Sequence, residues 1–279
     1  MKRLTLSIAA GLSFLLVGCS EHPPTEEIYE QAISQTEQLE TVQFQRNQTL
    51  RAQQDSFRGQ LLGGVQYDPQ RFYGELEMEL LNLNESLKMK MYLDEENWQV
   101  RQDQEDTEWE DYNREEFEDA LLEHPSLLLE WFTPYQDQFL MKETTIAPFQ
   151  LEEEGAEEEG TDEENESTEE IEEERIDVYE ISFRGSDEQY KPLVEQHIQQ
   201  MNVANNANAE IEEIMDTVEI ERIDMTVFVD AETYDVHRLQ TRFRYLAYIQ
   251  GEYRVIDESV LLRFHEHNQE IDFETLKTN

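Results

Sequence analysis

The feature that most restricts this chain is strict two-residue alternation of apolar and polar side chains over long stretches. Leu76, Met78 and Leu80 alternate with Glu75, Glu77 and Glu79, and Leu87, Met89, Met91 and Leu93 alternate with Lys88, Lys90 and Tyr92. Successive side chains of a strand point to opposite faces, so such a run makes a strand with one buried and one wet face. Strands of this kind are expected at Val42–Gln53, Phe57–Tyr67, Phe72–Leu81 and Leu87–Leu93, with a short one around Trp98 and Val100. Gly63-Gly64 reads as a bulge or kink, and Asp68-Pro69 and Asn82–Asn84 as turns. Ile176–Phe183 alternates as a further strand, and three longer runs close the chain: Val218–Val229, Tyr234–Ile249 and Tyr253–His265, turned at Asp230–Thr233 and Gln250–Glu252. Regular strands joined by tight polar turns form an antiparallel meander, and strands this long must twist.

Helical periodicity fills the remainder. Ile28, Tyr29, Ala32, Ile33 and Leu39 predict a helix over residues 25–40, with Thr25 as its cap. Asn113 and Glu116 form a capping-box pattern ahead of Phe117, Ala120 and Leu121, and Pro125 ends that helix. The most apolar part of the mature chain follows: a short helix at 126–133 and, beyond Pro134, a second piece at 135–142. Tyr190, Leu193, Val194, His197, Ile198 and Met201 make an amphipathic stripe, beginning at Ser186 with Gln189 or at Pro192. Asn202–Asn208 reads as a polar loop. This order predicts an α+β domain: a single large curved antiparallel β-sheet with its helices packed on one face.

The first nineteen residues have another purpose. Met1, Lys2 and Arg3 form a positive head, Leu4–Val17 an apolar run too short for a comfortable membrane span, and Leu16-Val17-Gly18-Cys19 a cleavage site. The Leu-x-Gly-Cys ending resembles the lipobox of bacterial lipoproteins. That resemblance implies a signal peptide at 1–18, diacylglycerol on the Cys19 thiol, and a short tether at 19–24. Cys19 is the single cysteine of the chain, which leaves no intramolecular disulfide to form. Two acyl chains anchor durably, so the mature protein is expected on the extracytoplasmic face of a cell membrane.

Charge excludes one class of partner. Against 66 acidic residues stand 21 basic ones, for a net −45; removing Lys2 and Arg3 with the signal makes it −47. Residues 152–174 hold 15 acids and no base, so the segment 151–175 is expected to be a disordered acidic loop interrupting one domain at 25–279. The rest of the chain is acidic as well. Nucleic acid is therefore not expected as a partner, and a salt-tolerant host or simply a well-solvated surface would suit such charge.

The lipobox, the helix from Glu26 to Leu39, the early strand pairs, the block Val178-Tyr179-Glu180-Ile181-Ser182-Phe183 before the amphipathic helix, and Val227-Phe228-Val229-Asp230-Ala231-Glu232-Thr233-Tyr234 are together similar to uncharacterised Gram-positive lipoproteins of the LolA-like superfamily. The mycobacterial lipid-carrying lipoproteins are wider relatives of that group. The resemblance implies a half-barrel sheet whose concave face, covered by helices, encloses an apolar cavity for acyl chains. Leu128, Trp131, Phe132, Tyr135 and Phe139 are then candidate lid or lining residues, and Met78, Met89 and Met91 suit an adaptable wall. Ordinary core would read the same way in sequence.

Catalytic patterns are not apparent. His265 and His267 share a strand face and, with His237 or a carboxylate, could hold zinc; exposed, solvated histidines are the alternative. No cofactor is expected. The function expected is that of a monomeric, non-enzymatic, membrane-anchored carrier of a lipid-like ligand, or else of an envelope protein with a filled core that recognises a polymer or another protein.

Overall fold

A computed structural model describes residues 23–278, apart from 53–55, 95, 104–106, 114–123, 150–174, 203–207 and 250. Cys19, the signal, Glu116 with the helix expected around it, and nearly all of the acidic tract therefore lie outside the described residues. No helix among those described is long and apolar enough to cross a membrane.

Eleven strands form one antiparallel sheet, the architecture the alternation predicts. They are β1 (Thr41–Arg51), β2 (Phe57–Gln66), β3 (Arg71–Leu80), β4 (Glu85–Leu93), β5 (Trp98–Gln102), β6 (Glu110–Tyr112), β7 (Leu140–Ile146), β8 (Ile176–Gly185), β9 (Glu219–Asp230), β10 (Val236–Ile249) and β11 (Glu252–His265). Their order is β6-β5-β4-β3-β2-β1-β11-β10-β9-β8-β7. The sheet is thus two meanders, β1–β6 running outward in sequence order and β7–β11 running inward, joined where the first strand pairs with the last. Phe44 is the hinge of that register, opposite Phe264 on one side and Gly63 on the other.

The register assigns faces. Val42, Phe44, Leu61, Val65, Phe72, Met91, Leu93, Ile181, Phe183, Met225, Val227, Leu239, Phe243 and Leu262 point to one side and are buried there. Against this inner face pack α1 (Thr25–Glu37), α2 (Pro125–Glu130), α3 (Lys191–Asn202) and α4 (Asn208–Met215). Ile28, Tyr29 and Ala32 of α1 are fully buried, and the Tyr29 hydroxyl donates to the Leu129 carbonyl at 2.7 Å, which ties α1 to α2. A fifth helix, α5 (Phe273–Thr278), lies on the opposite, outer face, where Phe273 packs with Tyr73 and Tyr92.

Several local expectations are corrected. Gly63-Gly64 is neither bulge nor kink, since the ladder runs unbroken from Phe57 to Gln66. Glycine is required there by close approach: a Cβ on Gly63 would sit 2.4 Å from the Tyr73 carbonyl oxygen. The register shifts lie instead between Val236 and Arg238 and between Arg244 and Tyr245. Thr25 does not cap α1, whose N-cap is Pro24 without a side-chain bond. Pro125 is the first residue of α2, which His124 caps; the helix expected ahead of it falls outside the described residues. The apolar piece beyond Pro134 is a 3₁₀ turn (Thr133–Gln138) leading into strand β7, whose first residue, Leu140, is 74% exposed. Neither α4, which starts at the last residue of the expected polar loop, nor α5 is anticipated by periodicity. Both are short, and α4 begins in an Asn-rich stretch of low helix propensity that only packing on the sheet makes helical. β7 and β8 pair from Leu140–Ser182 to Ile146–Ile176, so the acidic tract is the connection of a hairpin.

Candidate functional site

Between the inner face of β1–β3 and β10–β11 and the helices above it lies a cavity of about 390 Å³. This falls within the roughly 300–1,000 Å³ typical of ligand sites. Its floor is apolar: Phe44, Leu50, Phe57, Leu61, Leu76, Met78, Val260, Leu262 and Phe264. Strand alternation supplies these residues, since each occupies an inward position of its strand. The roof comes from α2, with Pro125, Leu128 and Trp131, and from α3, with His197 and Gln200. Gly59 leaves a gap in the floor, because a Cβ there would meet nothing closer than the Glu77 carbonyl oxygen at 3.8 Å.

One end of the cavity is polar. Arg46 and Gln48 of β1, Thr241 of β10 and Glu258 of β11 all occupy inward positions, and His197 hangs down from α3. His197 and Glu258 are 3% and 4% exposed and form a direct pair from Nε2 to the carboxylate. An ionised carboxylate only accepts, so Nε2 must carry the hydrogen. The imidazole stacks on Phe243 with centroids 4.2 Å apart, and the Tyr245 hydroxyl lies 3.4 Å from its Nδ1. The Gln48 amide donates to the other carboxylate oxygen. Burial pushes the Glu258 carboxyl up and is the largest single influence. The His197 charge and hydrogen bond, the Gln48 bond and the Arg46 charge together outweigh it and hold the carboxyl below its ordinary range. Burial pushes the Tyr245 phenol up. The site therefore offers a mostly apolar lining with a buried acid-base pair beside it.

The expected lining residues divide. Leu128, Trp131 and Met78 line this cavity. Phe132, Phe139 and Met91 do not. They are buried in the packed core, where Phe132 and Phe139 make edge contacts to Phe183. Tyr135 packs on Phe183 and Tyr190 and points its hydroxyl toward the Gln189 carbonyl. Met89 does not line it either; it sits opposite Leu76 on the inner face, partly buried against the core. The polar end was missed, although it leaves a trace: Arg46, Gln48 and Glu258 are polar residues at inward positions of otherwise apolar strands.

The histidines lie elsewhere. His265 faces outward with its ring against Phe149. His267 packs on His237 with centroids 5.9 Å apart, but His267 Nε2 bonds the Val236 carbonyl and His237 Nε2 bonds Asp230. No group of three ligating side chains suited to a metal occurs among the described residues.

The outer face carries a wider groove of about 1,620 Å³. Its floor is formed by β1–β4 and β10–β11. Residues 146–149, which cross the outer face beyond β7, and Leu276 of α5 make its walls.

Known proteins give a partial match. A model described as a family of unknown function (DUF6612) matches residues 165–274, under half of the chain. No curated protein matches. Among solved structures the chain is similar to the Mycobacterium tuberculosis lipoprotein LppX, at 9% identity over 89% of this chain and 97% of that one, with a TM-score of 0.40. It is similar to LprF from Mycobacterium bovis, at 7% identity over 90% and 96%, with a TM-score of 0.44. A DUF1329 family protein from Desulfovibrio piger is 7% identical over 91% and 98%, with a TM-score of 0.25. The first is a mycobacterial lipoprotein, the class that the sequence resembles through its wider relatives. With superpositions this loose, the fold class rests on the eleven-stranded sheet itself.

Proposed function

We propose that this protein is a non-enzymatic lipoprotein, held on the extracytoplasmic face of the membrane through Cys19, that binds a single-chain amphiphile in the helix-covered cavity. The observation that carries this reading is the cavity's composition: an apolar body of about 390 Å³ ending in Arg46, Gln48 and the His197–Glu258 pair. An acyl chain fits the first part, and a polar head can exchange hydrogen bonds with the second. The volume sits at the low end of the ligand-site range, which favours one chain over two. Leu50, Phe57 and Met78 lie at the cavity end beside the β3–β4 turn, where Leu81, Leu83 and Leu87 are exposed. That turn offers an apolar surface through which a bilayer lipid could approach.

The experiment is lipid extraction and mass spectrometry of protein purified from its host, beside a Gly59→Phe variant. The Gly59 Cβ has open space, so the phenyl ring fills the cavity without displacing backbone. The expected outcome is a co-purifying amphiphile in wild type that is absent from the folded variant. A wild-type protein that is reproducibly empty, or a variant that keeps the same lipid, overturns the reading. For the anchor, Cys19→Ala is expected to release the protein from the membrane fraction, and mass spectrometry of the mature N-terminus should show the acyl mass.

A further inference from the structure

In a chain with 66 acids and 21 bases, two arginines placed side by side with no carboxylate between them reverse the prevailing charge. Arg238 of β10 and Arg263 of β11 are direct cross-strand partners on the outer face. Like charges placed opposite each other destabilise a sheet. Neither forms an ion pair among the described residues. The nearby carboxylates of Asp230 and Glu266 are engaged by His237 and Gln43. At the far end of the groove Lys90 and Lys88 are matched by Glu75 and Glu77, each at 3.0 Å. The two arginines at the near end thus make no direct ion pair among the described residues.

The two guanidinium groups are nevertheless held in place. Arg238 lies over the Phe228 ring at 5.2 Å and Arg263 over the Phe149 ring at 5.6 Å. Stacking fixes the planes and leaves the N–H edges to bond something else. Arg263 donates one of these to Gln45. The Arg238 Nε is buried without a hydrogen-bond partner, and so is the Nε2 of His265, whose ring also packs on Phe149. Burial, then the charge of Arg238, pulls the Arg263 guanidinium below its ordinary range.

We propose that this corner, formed by Arg238 and Arg263 with Gln45 and His265 at its edge, is an anion site that takes a dianionic phosphate group. Two formal positive charges call for two negative ones, which a phosphate supplies and a single carboxylate does not. Several terminal oxygens also suit two forked donors better than the two oxygens of a carboxylate. The site lies on the face of the sheet opposite the apolar cavity and is independent of the carrier reading above.

The test is calorimetric titration of the full mature chain with inorganic phosphate at constant ionic strength, with acetate as the monoanionic control. Saturable binding is expected for phosphate, at least tenfold weaker for acetate, and at least tenfold weaker for phosphate in Arg238→Gln and in Arg263→Gln. Arg263 also contacts Gln45 and Phe149, so Arg238→Gln, which removes no hydrogen bond, keeps the test open should the other variant misfold. Glycerol phosphate in a parallel arm separates the sources. Tighter binding than inorganic phosphate indicates a phosphomonoester on a larger molecule, and equal binding indicates free phosphate. Absent binding in wild type, equal binding in Arg238→Gln, or binding that appears only after residues 151–174 are deleted overturns the proposal.

Discussion

The two faces of the sheet treat charge in opposite ways. On the outer face most charges are half-exposed and paired across strands: Lys88 with Glu77, Lys90 with Glu75, Lys142 with Glu180, Arg242 with Asp257. On the inner face the buried pair is His197–Glu258, sealed under α3. Water screens the first group and supplies an alternative partner to each member. It is excluded from the second, so that each member depends on the other. Many visible ion pairs on one side should therefore matter less than a single pair on the other.

The sharpest way to break that contrast is Glu258→Ala. Removing one member of a buried pair leaves the other uncompensated and costs roughly 3–5 kcal/mol. Urea unfolding monitored by tryptophan fluorescence should show a loss of that size, and Glu258→Gln, whose amide oxygen can still accept from His197, should lose less. A loss below about 1 kcal/mol would mean that the inner face is wet at this point, and the contrast would fail.

The same residue gives the contrast a pH signature. The Glu258 carboxyl is held low in the folded protein by His197, Gln48 and Arg46 against the opposing effect of burial. The unfolded chain therefore takes up that proton first as pH falls. The contribution is complete above the unfolded glutamate value of about 4.3 and is lost as pH drops through the folded value. Thermal unfolding across pH 3 to 7 should show wild type losing more stability on the acid side than Glu258→Gln. Parallel curves would assign the acid sensitivity to the other carboxylates.

Two glycines on the inner face of one strand test how tightly that face is packed. A Cβ on Gly63 meets the Tyr73 carbonyl oxygen at 2.4 Å, whereas one on Gly59 meets only the Glu77 oxygen at 3.8 Å, beside the cavity. Backbone cannot give as a side-chain tip does, so Gly63→Ala should cost about 1–3 kcal/mol. Gly59→Ala should be neutral or slightly stabilising, because it removes backbone freedom from the unfolded strand. Equal effects would remove the cavity as a distinct region.

Much of this layout is readable from the chain. Two-residue alternation located β1–β5 and β8–β11 within a few residues, because each of those strands buries one face and wets the other. β7 was missed for the reason that the others were found. As an edge strand with Leu140, Lys142, Glu143 and Thr145 all exposed, it has little alternation to show. Of the eight apolar residues proposed for the cavity, Leu128, Trp131 and Met78 line it, while Phe132, Phe139 and Met91 are core. Both groups obey the same hydrophobic logic, and only tertiary packing separates a wall from a filling. The polar end is a different case. A glutamate between Ile256 and Val260 at inward positions, and an arginine and a glutamine following Val42 and Phe44, break the pattern of their own strands. Such breaks mark functional or specially compensated positions more often than errors of alternation. His197 on the apolar stripe of α3 was visible too, but nothing in sequence says that its partner lies on β11, 61 residues away.

The smallest effect belongs to the outer face and isolates its weakness. Lys88 and Glu77 are about half exposed, with Nζ 3.0 Å from the carboxylate. Lys88→Gln should cost no more than roughly 0.5 kcal/mol. Part of that cost is not the pair at all: removing a cation from a chain of net −45 adds to its self-repulsion. Both contributions are screened, since the Debye length shrinks from about 10 Å at 0.1 M salt to about 3 Å at 1 M. Unfolding measured in low and in molar salt should therefore bring Lys88→Gln level with wild type, while Glu258→Ala keeps its deficit, because ions do not reach a buried pair. If the Glu258→Ala deficit also closed in salt, the two faces would differ in degree of exposure and not in kind.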